Sequence, residues 1–282
     1  QGTKADTAVQ PEDLEEFGAF PVGLSGARTY DKSTGVYGDL VPLPMARKAI
    51  DAARVAGGGV TRIACVGHSL VAGAGPVAAG VTAWPDRLRT ILTQRGDIKE
   101  GTGLVIPQNG TTGRDARYTI SAGWSTFAVN SPAMVATASG ETITFVSDAP
   151  GTIVDIWTYD TTKTMTVTID GVAKTSITGT PTSTLKKFSY TGLANTTHTV
   201  AITTTVAGQQ HFVVGVDVHS GDGLSVSNLG VAGSNVSQWA AGTYYLLAEP
   251  IRKLAPALTF IQCQVNDATS GYTAAQWTTW MD

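Results

Sequence analysis

Three short stretches of the chain carry residue types that can do chemistry together. In "IACVGHSLVAGAG" (63–75), Ser69 and His68 stand side by side at the end of an apolar run. In "NLGVAGSN" (228–235), Asn228, Gly230 and Gly233 follow a second such run, and in "QVND" (264–267), Asn266 and Asp267 follow a third. A serine hydroxyl can attack a carbonyl carbon. A backbone N–H in a glycine loop can approach the resulting oxyanion closely, because no Cβ intervenes, and an Asn amide adds a further donor. The chemistry suggested is acyl transfer, provided that one fold brings the three stretches together.

The surrounding elements are of the kind that would do so. "RIACVG" (62–67) is continuously apolar after its first residue and reads as a buried parallel strand. Before it, "LPMARKAIDAARVAGGG" (43–59) reads as a helix, with Pro44 in the first turn, Ala46, Ile50 and Ala53 at helical spacing, and Gly57 to Gly59 as the stop. After it, "WPDRLRTILTQRGD" (84–97) reads as a second helix, in which Leu88, Ile91 and Leu92 share one face and Arg95-Gly96 ends it. Leu224 to Ser227 and "ALTFIQCQVND" (257–267) read as two further strands, and the helix-like 237–256 lies between them. The final "YTAAQWTTWMD" begins a helix with Thr273 and Gln276 in capping-box spacing. In open parallel sheets, ligands bind beyond the carboxyl ends of the strands, so the loops holding Ser69, Gly233 and Asn266 are expected to meet at one crevice.

From about Trp124 to Gly215 the texture changes. "ETITFV", "TIVDIWTY", "KTMTVTIDGVAKTSI" and "HTVAITTTV" alternate apolar and polar residues at period two, and Asp170-Gly171 marks a type I′ hairpin turn. Strands at such intervals without helical periods predict an antiparallel sandwich inserted into the α/β region. Trp124, Trp157 and Tyr159 within it are core aromatics or a sugar-stacking platform, the core reading being preferred. The expected organisation is a connector arm over 1–42, an α/β first part over 43–123, the sandwich over 124–215 and an α/β second part over 216–282.

Composition removes several function classes. The 282 residues carry a net charge of −3, so no basic surface for a phosphate backbone is implied and nucleic acid is not an expected partner. No apolar run approaches the roughly 20 residues of a membrane-spanning helix, so no membrane insertion is expected. Cys65 and Cys263 lie in apolar, strand-like runs, as core residues do, and the four histidines form no metal-ligand spacing; no metal is expected. Val71 stands where an α/β-hydrolase nucleophile elbow needs glycine, and "GAGPVAAG" lacks the lysine of a phosphate loop.

Taken together, "VGHSLVAGAG", "NLGVAGSN" and "QVND" resemble the first three blocks of the SGNH or GDSL-type hydrolases. The resemblance covers roughly 57–123 and 216–282. It implies a three-layer, flavodoxin-like α/β domain, here interrupted by an all-β, jelly-roll-like sandwich, and a serine esterase that needs no metal or organic cofactor. By position, Ser69 is the implied nucleophile, and the Ser69 amide, the Gly233 amide and the Asn266 side chain form the implied oxyanion hole. His68 and Asp267 are the implied substrate-side neighbours, with Asp267 bracing its loop.

The chain departs from the family pattern in three places. His68 stands for the usual Asp, Gln264 for the usual Gly, and the Asp-x-x-His block that supplies the base is missing. Of the histidines, His68 is adjacent to Ser69, where neighbouring side chains diverge; His198 reads as an outward strand residue; His211 and His219 flank the return from the sandwich. The expectation is that the base lies in a C-terminal part beyond Asp282. The alternative is a non-catalytic carbohydrate-binding, adhesion or structural tail protein on a degenerate version of the fold. Finally, "GTKADTAVQPEDLEEFG" (2–18) resembles the connector segments of bacteriophage tail fibres. That resemblance implies a virion or extracellular location, a cell-surface glycan as substrate or receptor, attachment to other tail proteins and a homotrimer.

Overall fold

In a computed structural model the chain divides into two compact units, Gln1–Leu43 and Pro44–Asp282. The structure describes residues 30–31, 36–37, 44–73, 83–94, 97–107, 115–127, 133–159, 163–179, 184–235, 248–262, 271, 273 and 276. In the first unit, β1 (Tyr30–Asp31) and β2 (Val36–Tyr37) form an antiparallel pair.

The second unit is mostly β-strand with a few helices. It runs α1 (Pro44–Ala53), β3 (Val60–Gly67), α2 (Ser69–Ala72), α3 (Trp84–Thr93) and β4 (Glu100–Gly101). The antiparallel strands follow: β5 (Tyr118–Ile120), β6 (Trp124–Thr126), β7 (Met134–Ala136), β8 (Thr142–Val146), β9 (Ile153–Tyr159), β10 (Thr164–Ile169), β11 (Val172–Thr178), β12 (Leu185–Tyr190), β13 (Thr199–Thr204), β14 (His211–Val213) and β15 (Gly215–His219). The chain then returns through β16 (Gly223–Gly230), α4 (Ala248–Leu254) and β17 (Leu258–Gln262).

β17, β3, β16 and β4 form a four-stranded sheet in that order, and every pairing in it is parallel. Its centre is apolar because β3 and β16 are covered on both faces: Ile63, Cys65, Leu224 and Val226 pack with Ala53 and Val71 on one face, and Ala64, Val66 and Leu229 pack with Leu254 on the other. The strand over 258–262 is less enclosed than its sequence suggests. β17 stands at the sheet edge and Ile261 is 50% exposed.

Three antiparallel sheets hold the rest, ordered β11-β10-β13-β8-β5, β12-β9-β15 and β14-β7-β6. Their common interior is built from inward residues such as Phe145, Ile156, Met165, Ile202 and Val216. The predicted turn is present: Asp170 and Gly171 have φ of 52° and 76°, the left-handed pair that a type I′ hairpin needs. Val105 is among the residues that join this region to the parallel sheet. Val105 bridges antiparallel to Val216 and parallel to Asn228, and the Tyr118 hydroxyl donates to its carbonyl at 2.6 Å. β9 is buried along nearly its whole length instead of alternating, with Asp155, Trp157 and Tyr159 outside the cluster that the antiparallel sheets share yet still enclosed.

α3 corrects its sequence reading. Ile91 is 63% exposed, whereas Pro85, Asp86 and Arg89 form the buried face. The reason lies in loops next to the antiparallel strands, which bring charge against the helix. Arg117 pairs with Asp115 at 2.8 Å, Asp148 at 3.2 Å and Asp86 at 3.4 Å, and Arg89 pairs with Asp148 at 2.6 Å and Glu100 at 2.9 Å. Among the described residues, no helix is long and apolar enough to cross a membrane.

Candidate active site

The carboxyl edge of the parallel sheet is organised around Gly67. In register it stands opposite Gly230 of β16 on one side and Gln262 of β17 on the other. Past this row the three chains carry the residues singled out above. Ser69 comes two positions after Gly67 and opens α2. Gly233 comes three positions after Gly230, exposed, with φ of 81°. Asn266 and Asp267 lie outside the described residues, four and five positions after Gln262.

The first two loops are tied to one another. The Val231 N–H donates to the Gly67 carbonyl at 2.8 Å, and the Ser234 hydroxyl donates back to the Val231 carbonyl at 2.7 Å. Asn228, 7% exposed, accepts the Gly230 N–H on Oδ1 at 3.1 Å and so holds the loop that ends in Gly233. An Asn two residues before a Gly is a local turn signal that the sequence does display. On the other side, the Trp84 indole donates to Gln262 Oε1 at 3.0 Å and packs edge-on against Phe260, anchoring the end of β17 to α3.

His68 has a different task from the one its position implies. It is 1% exposed, its carbonyl accepts the N–H groups of Val71 and Ala72 at 3.1 Å each, and its Nδ1 accepts the Leu70 N–H at 3.3 Å. A side-chain acceptor on the second amide of a helix is an N-cap, a role that Asp, Asn, Ser and Thr usually fill.

The other histidines belong to the antiparallel region. His219 ends β15, shortly before β16 begins, and about 20 Å of strand separates that end of β16 from Gly230. His198, read from sequence as an outward strand residue, is instead 1% exposed: Nδ1 lies 2.7 Å from Asp170, and Nε2 lies 2.9 Å from the Gly151 carbonyl. It precedes β13 and buttresses the hairpin turn. His211 is fully buried in β14, and among the described residues neither of its ring nitrogens has a hydrogen-bond partner.

Cys65, two residues before Gly67, is also no nucleophile. Burial first, and then the nearby Asp86, push its thiol up to about 12, so the thiolate is not populated near neutrality. Trp124, Trp157 and Tyr159 are 3%, 3% and 8% exposed, which makes them interior residues. Among the described residues the exposed aromatic is Phe127, 39% exposed and edge-on to Phe212, and nothing in its local sequence pattern singles it out.

One cluster has the donor set of a metal site. Asp155, Asp217 and His219 each offer a ligand atom within 4.8 Å of the others, and all three are buried. Cationic side chains already face these carboxylates: Lys187 Nζ is 2.9 Å from Asp155, and Arg62 Nη2 is 3.8 Å from Asp155 and 3.9 Å from Asp217. Burial would raise Asp155, but hydrogen bonds from His219, Ser189 and Lys187 outweigh it and hold the carboxyl at about 2. Burial raises Asp217, which accepts from Ser225 at 3.2 Å. Two carboxylates matched by two cations make a self-contained structural cluster, and a divalent ion there would add unbalanced positive charge.

No protein-family model and no curated protein sequence matches the chain. Solved structures do match. A peptidoglycan O-acetylesterase superposes with a TM-score of 0.59 at 19% identity, over 86% of this chain and 67% of that one. A family two carbohydrate esterase from Clostridium thermocellum, in complex with cellohexaose, gives a TM-score of 0.32 at 17% identity over 39% of this chain and 33% of that one. A carbohydrate-binding module, CBM35 from Cellvibrio japonicus Abf62, gives 0.31 at 14% identity over 43% and 94%. The chain therefore spans about two thirds of the first of these proteins and a third of the second. The first likeness is one of fold.

Proposed function

We propose that the chain carries the nucleophile and oxyanion side of an SGNH-type serine esterase that removes acetyl or similar acyl groups from a polysaccharide. The observation that carries this reading is the register at Gly67. Strand ends leading to Ser69, Gly233 and Asn266 are neighbours on one carboxyl edge, the edge where a parallel sheet binds its ligands. The fold likeness to a peptidoglycan O-acetylesterase supports the acyl ester and the glycan as substrate class.

In the proposed mechanism Ser69 attacks the acyl carbonyl carbon while a base takes its proton. The carbonyl oxygen becomes an oxyanion held by the Ser69 and Gly233 N–H groups and the Asn266 amide. Collapse expels the sugar hydroxyl, protonated by the same residue, and leaves an acyl-serine that water then hydrolyses. His68 is turned to α2, His198 is engaged with Asp170 and His219 with Asp155. The base is accordingly proposed to be the histidine of an Asp-x-x-His block in the full-length protein. The flavodoxin-like layering with a jelly-roll insertion, and the boundaries at 43, 124 and 216, belong to the same proposal. The resemblance of 2–18 to tail-fibre connectors supports placing this activity on a phage tail that meets a host surface.

The test is hydrolysis of a short-chain aryl acetate by the full-length protein. Ser69→Ala is expected to lower turnover by on the order of 10⁴-fold or more. Activity that persists in that variant would overturn the reading.

A further inference from the structure

We infer that Gly230 is a positioning residue for the nucleophile: its missing side chain is what allows α2, and with it Ser69, to lie against the end of β16. The inference rests on the reading of Ser69 as the nucleophile.

A Cβ built on Gly230 would overlap the backbone nitrogen of Ala72 and would stand 2.6 Å from the Val71 carbonyl carbon and 2.7 Å from the Ala72 Cα. Side-chain Cβ atoms do not approach other atoms within 3.0 Å. Here the atoms in the way are main chain, which has no rotamer to retreat into. Gly230 does not have a positive φ, so its backbone conformation is open to any residue and space alone demands glycine. Gly67, its partner in register, repeats the arrangement: a Cβ there would overlap the Gln262 carbonyl and Val71 Cγ2. Val71 and Ala72 are fully buried over this pair of glycines.

α2 is four residues long, and one helical turn has no appreciable stability of its own. The surface on which it rests therefore sets its position. A side chain at 230 lifts the turn, and a nucleophile displaced by about 1 Å loses on the order of 10²-fold in rate. Gly233 differs in kind, since it is exposed and its requirement for glycine is one of conformation.

The experiment measures kcat and KM for an aryl acetate, and the rate of covalent labelling by a fluorophosphonate, on the full-length protein and its variants. Gly230→Ala is expected to lower kcat and labelling by about 10²-fold while KM stays within about threefold. If Ser69→Ala is inactive and Gly230→Ala keeps kcat within about threefold, the inference is overturned and the nucleophile stands. If Ser69→Ala is active, both fall. Should Gly230→Ala fail to fold, a matched pair decides. Val71→Ala loosens α2 on its seat, whereas Val226→Ala removes the same volume from the same core cluster away from α2. A loss of kcat in the first alone supports the inference, and equal losses overturn it.

Discussion

The ring Nδ1 of His68 accepts the backbone N–H of Leu70 at 3.3 Å, so a histidine caps the one-turn helix that Ser69 opens. An acceptor at that position must be unprotonated, which places the ring hydrogen on Nε2. A residue that looks like a base beside Ser69 is thereby assigned to holding the helix that Ser69 opens.

Exchange of this cap has a graded outcome. Asn at position 68 offers an amide oxygen for the same N–H, and His68→Asn is expected to retain most stability and turnover. His68→Ala leaves the amide without its acceptor and is expected to lose about 1 kcal/mol, together with part of kcat. Denaturant midpoints and aryl acetate kinetics on the three proteins check this, and an unchanged midpoint in His68→Ala would refute the capping role.

The ion cluster under α3 makes stability depend on pH. Burial raises Asp86 to about 6, with Arg117 and Arg89 opposing it only in part. The folded state therefore holds this proton more tightly than the unfolded chain, whose carboxyl titrates near 4. The contribution is fully present below about pH 4 and is lost as pH rises through about 6. Neutral Asn mimics the protonated form, so Asp86→Asn is expected to raise the melting temperature above pH 7 and to flatten its pH profile between 4 and 7. The shift is worth up to about 3 kcal/mol. A variant less stable than the parent at pH 8 would show that the arginine pairings outweigh the burial penalty.

Asp155 has the opposite sign. Held at about 2 against the pull of burial, it contributes stability above the unfolded carboxylate range, and that contribution disappears only as pH falls toward 2. Asp155→Asn leaves His219, Lys187 and Arg62 facing a neutral amide and is expected to destabilise the fold by about 2–3 kcal/mol at pH 7. Urea unfolding at pH 7 measures it. Addition of EDTA is expected to leave the midpoint unchanged, because the cluster is balanced by its own cations; a loss of stability on chelation would instead identify a bound metal.

Much of the scaffold was legible because it depends on neighbours in the chain. The apolar run ending at Gly67 is a strand, Pro44 and Pro85 stand in the first turns of helices, and Asp170-Gly171 turns a hairpin, each for reasons that operate over a few residues. The ends of the first two strands, at Gly67 and Gly230, were legible for the same reason, since small and polar residues mark where an apolar strand stops. Less was visible of what those ends do. Gly230 and Gly233 look alike in "NLGVAGSN", yet one makes room for a helix backbone and the other takes a left-handed turn.

The misread positions share one cause. Ile91 was placed on one face of α3 with Leu88 and Leu92, and those two do pack against the core, but Arg117 and Asp148 arrive from loops 31 residues apart and draw Asp86 and Arg89 inward while Ile91 stays exposed. His198 was placed on an outer face, but Asp170 and the Gly151 carbonyl enclose it. Local hydrophobic period and turn chemistry settle which segments become strands, helices and turns. Packing between segments distant in the chain settles which polar groups are buried, which histidine caps a helix and which glycine seats it. Those choices turn on charge pairing and on contacts of a few ångströms, and neither exists until the chain has folded.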